Sequence, residues 1–246
     1  MKTRVLVLYG GRSGEHEISL ISAASVFRKL DRSRYDVLAV GIDHQGRWKE
    51  PDLAELERST DKSLKVFSGG RDLVMPPYPQ RFDSRKPRLV SLDGKGAPIE
   101  FDVAFPVVHG PMCEDGALQG LFELADVLFV GCGVMASALG MDKEVSKRLA
   151  RDAGIPIVPY VSVRAGEFER DPDAVSARVE RELGMPVFVK PVTMGSSVGV
   201  HKVKALGDLR AALADAFRYD PKVLIEKAIP AREVELAALE SRVPGG

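Results

Sequence analysis

The residues best suited to chemistry lie at Val187-Phe188-Val189-Lys190-Pro191-Val192-Thr193-Met194-Gly195-Ser196-Ser197-Val198-Gly199-Val200, where an apolar run ends in a lysine and a small-residue loop follows. Val187 to Val189 read as a buried strand, and Pro191 keeps Lys190 out of helical geometry, so its ammonium is presented where the strand ends. Gly195, Ser196, Ser197 and Gly199 allow successive backbone N–H groups to face one point, the concave geometry that receives anions. The same composition also suits a tight hairpin turn. Met141-Asp142-Lys143 puts a second lysine in a helix's first turn, a position unfavourable for a cation unless an anion sits nearby. Lys143 and Lys190 together offset much of a triphosphate's charge.

Three further stretches carry polar groups beyond strand ends. Glu15-His16-Glu17 follows Gly10, Gly11 and Gly14 at the mouth of a helix, where carboxylates are favoured. Glu15 can receive a ligand ammonium there, or the group serves as ordinary N-terminal capping. His109-Gly110-Pro111-Met112-Cys113-Glu114-Asp115-Gly116 stands where open sheets build their sites, with a satisfied loop histidine as the other reading. In Glu226-Lys227-Ala228-Ile229-Pro230-Ala231-Arg232-Glu233 a carboxylate at each end brackets an apolar Ile229, which suits a base amine and a ribose hydroxyl and equally suits solvated charge. No Gly-x-Gly-x-x-Gly or Gly-x-x-x-x-Gly-Lys run occurs, so the dinucleotide and P-loop readings are weak.

The elements that must position these loops alternate between strand and helix. Arg4 to Leu8 reads as a strand, and Ile18, Ile21, Ala24, Phe27 and Leu30 recur at helical spacing after it. Val37 to Ile42 is a second strand. From Lys49 to Lys95 the pattern is poor and predicts an irregular excursion with short edge strands and a turn at Asp93-Gly94. Strands at Val103 to Val108 and Val127 to Val130 flank a helix at Ala117 to Leu124. A second unit then runs through a helix at Met141 to Ala153, a strand at Pro156 to Val163 and a charged helix at Asp171 to Leu183. It continues with strands at Val187 to Val189, Val198 to Val203 and Val223 to Lys227, the last preceded by a helix at Leu206 to Phe217, and one further strand is expected at Glu233 to Glu240.

With 246 residues and 45% hydrophobic content, the chain can bury one large core or two modest ones. Lys+Arg 35 balance Asp+Glu 35, which removes a global basic field for nucleic acid. The two cysteines, Cys113 and Cys132, lack metal-ligand spacing and suit a reducing compartment. The apolar run after Met1 is too short for a signal peptide and no window suits a membrane span, so a cytoplasmic location is expected.

Taken together, these motifs resemble the D-alanine:D-alanine ligase family of the ATP-grasp enzymes. Gly10-Gly11-Arg12-Ser13-Gly14-Glu15-His16-Glu17-Ile18-Ser19 is similar to the family's first signature, and His109-Gly110 with Glu114 to Gly120 to its second. Met141-Asp142-Lys143 with Lys147, and Val189-Lys190-Pro191 with Gly195 to Gly199, are similar to its ATP-binding central domain. The resemblance implies an α/β ATP-grasp ligase architecture. Residues 1–131 form an N-terminal parallel-sheet, substrate-binding domain, 132–226 a central α+β nucleotide-binding domain, and 227–246 the beginning of a C-terminal domain.

The resemblance also implies a reaction: ATP phosphorylates the carboxylate of one D-alanine, and the amine of a second attacks the acyl phosphate to give D-alanyl-D-alanine, ADP and phosphate for peptidoglycan precursors. In that scheme Glu15 holds the first ammonium, His109 lines that subsite, and Ser196 closes over the substrates and supports Glu15 through hydrogen bonds. Lys143 and Lys190 bind ATP phosphates beneath the loop Gly195, Ser196 and Ser197. Glu226 takes the adenine amine, Glu233 the ribose, and Lys227 and Ile229 frame the purine. Alternatives within and outside the reaction class are a D-alanine:D-serine or D-alanine:D-lactate ligase and a non-catalytic ATP-binding module.

A homodimer is implied as well, with D-alanine and ATP as small-molecule partners and no nucleic acid or membrane partner. Two positions depart from the family's pattern, Cys113 and Ala231, each standing where glycine is usual. The family's active-site loop, its arginine, and the Asp, Glu and Asn that hold two magnesium ions have no matching segment by Gly246. Ligands for magnesium, or manganese, are therefore expected beyond it.

Overall fold

The structure, a computed structural model, describes residues 2–50, 64–66, 68–80 and 86–238. The first unit is organised by β1 (Thr3–Gly10), whose run from Val5 onward is buried. A strand covered on both faces needs apolar side chains at every position. Leu6 and Leu8 enter one core with Val40, Phe101 and Phe122, and Val5, Val7 and Tyr9 enter the other with Ala23, Ala24 and Phe27.

Helix α1 (His16–Lys29) follows β1 and packs against that second core, and β2 (Tyr35–Ile42) then pairs parallel to β1 in register Val5 with Val37. Further strands are β3 (Trp48–Lys49), β4 (Asp72–Val74), β5 (Arg88–Ser91), β6 (Ile99–Glu100) and β7 (Val103–Pro106). Their order is β6-β5-β4-β3-β2-β1-β7. Only the β2-β1-β7 segment is parallel, so the sheet is mixed and not wholly parallel as the sequence suggests. The antiparallel part is the expected irregular excursion, including the turn at Gly94, where φ is 71°. Residues 51–63, 67 and 81–85 of that stretch lie outside the described residues.

Helix α2 (Ala117–Leu124) covers the first core with Leu118 and Phe122. The strand expected at Val127 to Val130 reduces to one parallel bridge between Ala104 and Phe129, with Leu128 and Val130 left exposed.

The second unit opens with α3 (Val134–Met141), a helix the sequence reading did not mark, and α4 (Lys143–Asp152). A single helix from Met141 was expected. It is divided because Asp142 is extended at ψ 100° and its carboxylate accepts the Val145 N–H at 2.9 Å. There follow β8 (Tyr160–Arg164), α5 (Ala165–Arg170), α6 (Pro172–Leu183), β9 (Val187–Pro191), β10 (His201–Val203), α7 (Leu209–Ala216) and β11 (Lys222–Lys227). The sheet order β10-β9-β11-β8 is antiparallel throughout, around a core of Val163, Val179, Val189, Leu213 and Ile225.

Three expected strands of this unit shorten or vanish, and the one expected at Pro156 to Val163 begins only at Tyr160, as β8. Residues 195–200 form successive turns, in which the Val198 N–H donates to Gly195 O at 3.0 Å and the Val200 N–H to Ser197 O at 3.2 Å, so β10 begins only at His201. Within the strand expected at Glu233 to Glu240, residues 233–238 carry no regular structure and are exposed, Leu236 at 92%, while 239 and 240 lie outside the described residues. A strand needs a paired neighbour, and among the described residues none flanks this segment.

Candidate active site

Three loops converge on Glu15. Its own loop leaves β1 through Gly10 and Gly11, at φ 87° and 105°; a side chain at Gly10 would sit 2.2 Å from Ile42 O, so only glycine fits. Ser13 joins this loop to the second: its hydroxyl donates to His109 O at 2.6 Å and accepts the Glu15 N–H at 3.2 Å. A Cβ added at Gly110 would lie 3.2 Å from Glu15 Oε2, and one added at Gly195 would lie 2.5 Å from Glu15 Oε1. The glycine loop of the second unit therefore reaches the carboxylate of the first.

His109 is half-buried, with Nε2 3.1 Å from Ser22 Oγ and Nδ1 3.7 Å from Glu114 Oε1. The Glu114 carboxylate holds the imidazole's pKa above its usual 6.5 against the opposing effect of burial. Reciprocally, His109 and then the Gly110 N–H hold Glu114 below its usual 4.5, burial opposing. The His109 contribution to stability is complete below its unfolded value and is lost as pH rises through its raised folded value. The Glu114 contribution is complete above its unfolded value and is lost as pH falls through its lowered one. The difference in melting temperature between wild type and Glu114→Gln is accordingly expected to peak between these titrations and to shrink on both sides, as circular dichroism melts across pH will show.

Cys113 is only 6% exposed, facing inward under Gly11, and burial followed by the charges of Asp115, Glu114 and Glu15 pushes its thiol up to about 12. The side chain in the family's glycine position is thus a packed, unreactive group.

The cationic end is built from α4, β9 and β11. Lys143, the first residue of α4, donates from Nζ to Val192 O at 3.2 Å and Met194 O at 2.5 Å. Burial, and then the charge of Lys190, lower its pKa. Lys190 at the end of β9 donates to Glu226 Oε2 at 2.5 Å, and Lys147 pairs with Glu226 Oε1 at 2.7 Å. Burial pushes the Glu226 carboxyl up, but the bonds from Lys147 and Lys190 outweigh it and hold the group below 4.5.

Asp220, 5% exposed, fixes the glycine loop's entrance by accepting from Thr193 N and Thr193 Oγ1, both at 2.7 Å, while Asp142 and Glu144 hold Lys222 at 2.6 and 3.0 Å. Within the loop Ser196, Ser197 and Gly199 all have positive φ, at 46°, 59° and 66°. Two left-handed serines in sequence are an unusual arrangement, a sharp backbone bend of the kind from which anion cradles are built. A cleft of about 540 Å³ between the units is lined by Glu114, Gln119, Met141, Lys143, Met194 and Gly195.

The structure thus brings together Glu15, His109, Gly195 and Lys143, and couples Lys143 to Lys190 and Glu226. Others stand apart. Ser196 and Ser197 are exposed, and no hydrogen bond joins Ser196 to Glu15 among the described residues. Lys227 and Ile229 are exposed, and Glu233 has no ion pair or hydrogen bond among the described residues. Sequence reasoning gave no role to Lys147, Asp220 or Lys222. The first was marked in the motif with Lys143, four residues before it and so on the same helix face, but without its pairing to Glu226; the other two needed the fold. Glu226, Asp142 and Asp220 are each already bonded to lysines or N–H groups, so the described residues here offer no open carboxylate set for a hard divalent cation.

Comparison with known proteins agrees with this arrangement. Residues 4–132 match the family model described as D-ala D-ala ligase N-terminus, and 149–244 the one described as D-ala D-ala ligase C-terminus. The chain is 53% identical over 239 residues to D-alanine--D-alanine ligase A of Bradyrhizobium diazoefficiens, covering 97% of this chain and 63% of that relative's length. Among solved structures it resembles the D-alanine-D-alanine ligase from Coxiella burnetii at TM-score 0.76 and 33% identity, over 94% of this chain and 65% of that one. It resembles the VanG D-Ala:D-Ser ligase from Enterococcus faecalis at TM-score 0.75 and 32% identity, over 94% and 64%. With both family models matched in order, and a carboxylate of the first unit seated against the glycine loop of the second, the chain belongs to the D-alanine:D-alanine ligase family.

Proposed function

We propose that the protein joins two D-alanines with ATP, releasing ADP and phosphate, and that the dipeptide serves peptidoglycan precursor synthesis in the cytoplasm. The observation that carries this reading is the approach of Gly195 to Glu15, which puts an ammonium acceptor beside a phosphate cradle. Glu15 receives the ammonium of the first D-alanine, and His109 lines its subsite. Ser196 closes the loop over the substrates together with Gly195 and Ser197. ATP supplies the phosphoryl group that activates the first carboxylate; Lys143 and Lys190 neutralise its phosphates and hold them in line.

On nucleotide arrival Lys190 exchanges Glu226 for a phosphate oxygen, and the freed Glu226 oxygen accepts the adenine amine while Lys147 keeps the other. Lys227, Ile229 and Glu233 complete the purine and ribose subsite once the exposed segment after β11 folds over it. Magnesium or manganese accompanies ATP in this reading, with its protein ligands expected beyond Gly246, and no step above runs through it.

In this reading substrate binding falls to residues 1–131, nucleotide binding to 132–226, and 227–246 begin a third domain. The protein acts as a homodimer, which sedimentation tests. The chemistry is tested by assaying full-length protein with ATP, magnesium and D-alanine, D-serine or D-lactate as second substrate. D-Alanyl-D-alanine with stoichiometric phosphate release is expected. Preferential use of D-serine or D-lactate would reassign the second substrate, and ATP binding without phosphate release would make the protein a binding module.

A further inference from the structure

A second cluster with binding chemistry lies at the first turn of α1, built from side chains to which the ligase reading gives no role. His16 is 5% exposed, and its Nδ1 lies 2.7 Å from Gly11 O. A carbonyl oxygen only accepts, so Nδ1 carries a proton, and Nε2 is the ring atom left to offer a lone pair to a metal. No other hydrogen bond engages this ring among the described residues. His44, from the turn between β2 and β3, stacks on it with centroids 3.8 Å apart and planes at 26°. His44 Nε2 in turn lies 3.8 Å from Glu17 Oε1.

One ligand atom from each of His16, Glu17 and His44 lies within 4.8 Å of the other two. The geometry points to a divalent transition-metal site formed by these three side chains, taking an ion of the zinc class through two imidazole nitrogens and one carboxylate oxygen.

The donor set suits zinc, cobalt or nickel and not magnesium, which favours oxygen ligands. The Nδ1–H bond to a backbone carbonyl is the outer contact that orients a ligating histidine. Tetrahedral coordination needs donors about 3.3 Å apart. An imidazole binds through the lone pair in its ring plane, so His44 must rotate out of its stack on His16, and Glu17 swing inward, for the donors to converge on one ion; both side chains have the room, at 61% and 75% exposed. The turn that carries His44 is already braced, since Asp43 Oδ1 accepts from Gln45 N and Arg47 N, both at 2.9 Å. Of the described cations lining the hollow beside it, Arg47 is balanced by Asp43 and Lys49 by Asp72, and Lys65 has no ion-pair partner among the described residues. A bound ion ties the turn after β2 to the helix turn that begins beside Glu15.

Tag-free protein titrated with Zn²⁺ and with Co²⁺ tests this, wild type beside His44→Ala, Glu17→Gln and Cys132→Ser. The expected result is one zinc per chain, unaffected by excess magnesium, with affinity at least about tenfold weaker in His44→Ala and in Glu17→Gln. Visible cobalt absorption should appear in wild type and disappear in His44→Ala. Equal zinc affinity in wild type and His44→Ala, or loss of binding confined to Cys132→Ser, overturns the site. His44 and Glu17 are surface residues, so both variants fold.

Discussion

Replacing Glu226 by Ala should destabilise the second unit by roughly 2 to 3 kcal/mol, the cost of leaving charged partners unpaired in a half-buried place. Glu226 is 9% exposed on the central strand pair of the second sheet, and its two oxygens separately hold Lys147 and Lys190. Without it two ammonium groups face each other beside Lys143, whose own pKa the Lys190 charge already lowers. The sign with pH follows from the carboxyl's lowered pKa: its contribution is complete above the unfolded value near 4.5 and is lost as pH falls through the folded one. Urea titrations followed by hydrogen exchange on β9 and β11 will read the effect. Trp48, the single tryptophan, sits in β3 of the first sheet, so its fluorescence reports the other unit and should change little. Equal stability of the two proteins at neutral pH would remove the structural role given to this pairing.

Lys190→Ala is expected to weaken ATP binding at least about tenfold, roughly 1.5 to 3 kcal/mol, the loss of one charge-assisted contact to phosphate. Its effect on folding should be smaller than that of Glu226→Ala, because Lys147 continues to hold Glu226 Oε1 at 2.7 Å. Calorimetry with ATP and magnesium, paired with thermal melts, separates the two effects, and the Lys190→Ala, Glu226→Gln double variant measures their coupling. Unchanged affinity with a large fall in melting temperature would make Lys190 a structural partner of Glu226 and nothing more.

Several elements were legible in the residues alone because their causes are local. The apolar run of β1, the helical spacing after it, the Asp171-Pro172 start of α6 and the strand before Lys190 each specify their own conformation through side-chain period or capping. The motifs around Glu15, His109, Lys143 and Lys190 were likewise visible, as residue types in order. Two expected strands failed for want of partners, and one expected helix was divided by a local cap. Residues 233–238 alternate as a strand does, yet no neighbour among the described residues pairs with them; residues 127–130 keep only a single bridge. Met141 to Ala153 reads as one helix until Asp142 turns its carboxylate to the Val145 N–H.

By itself the sequence determined the family, the alternation of strands and helices, and which residue types stand at the loop ends, since all three depend on pattern along the chain. Only the tertiary structure decided that Gly195 meets Glu15, that Glu226 is shared by Lys147 and Lys190, that Asp220 anchors Thr193, and that Cys113 faces inward. Those contacts join residues from 27 positions apart, in the Asp220–Thr193 pair, to the distance between the two units, and their geometry is set by how the sheets pack. Charge pairing and burial act through space, so the partners of a lysine or a carboxylate cannot be read from its neighbours in the chain.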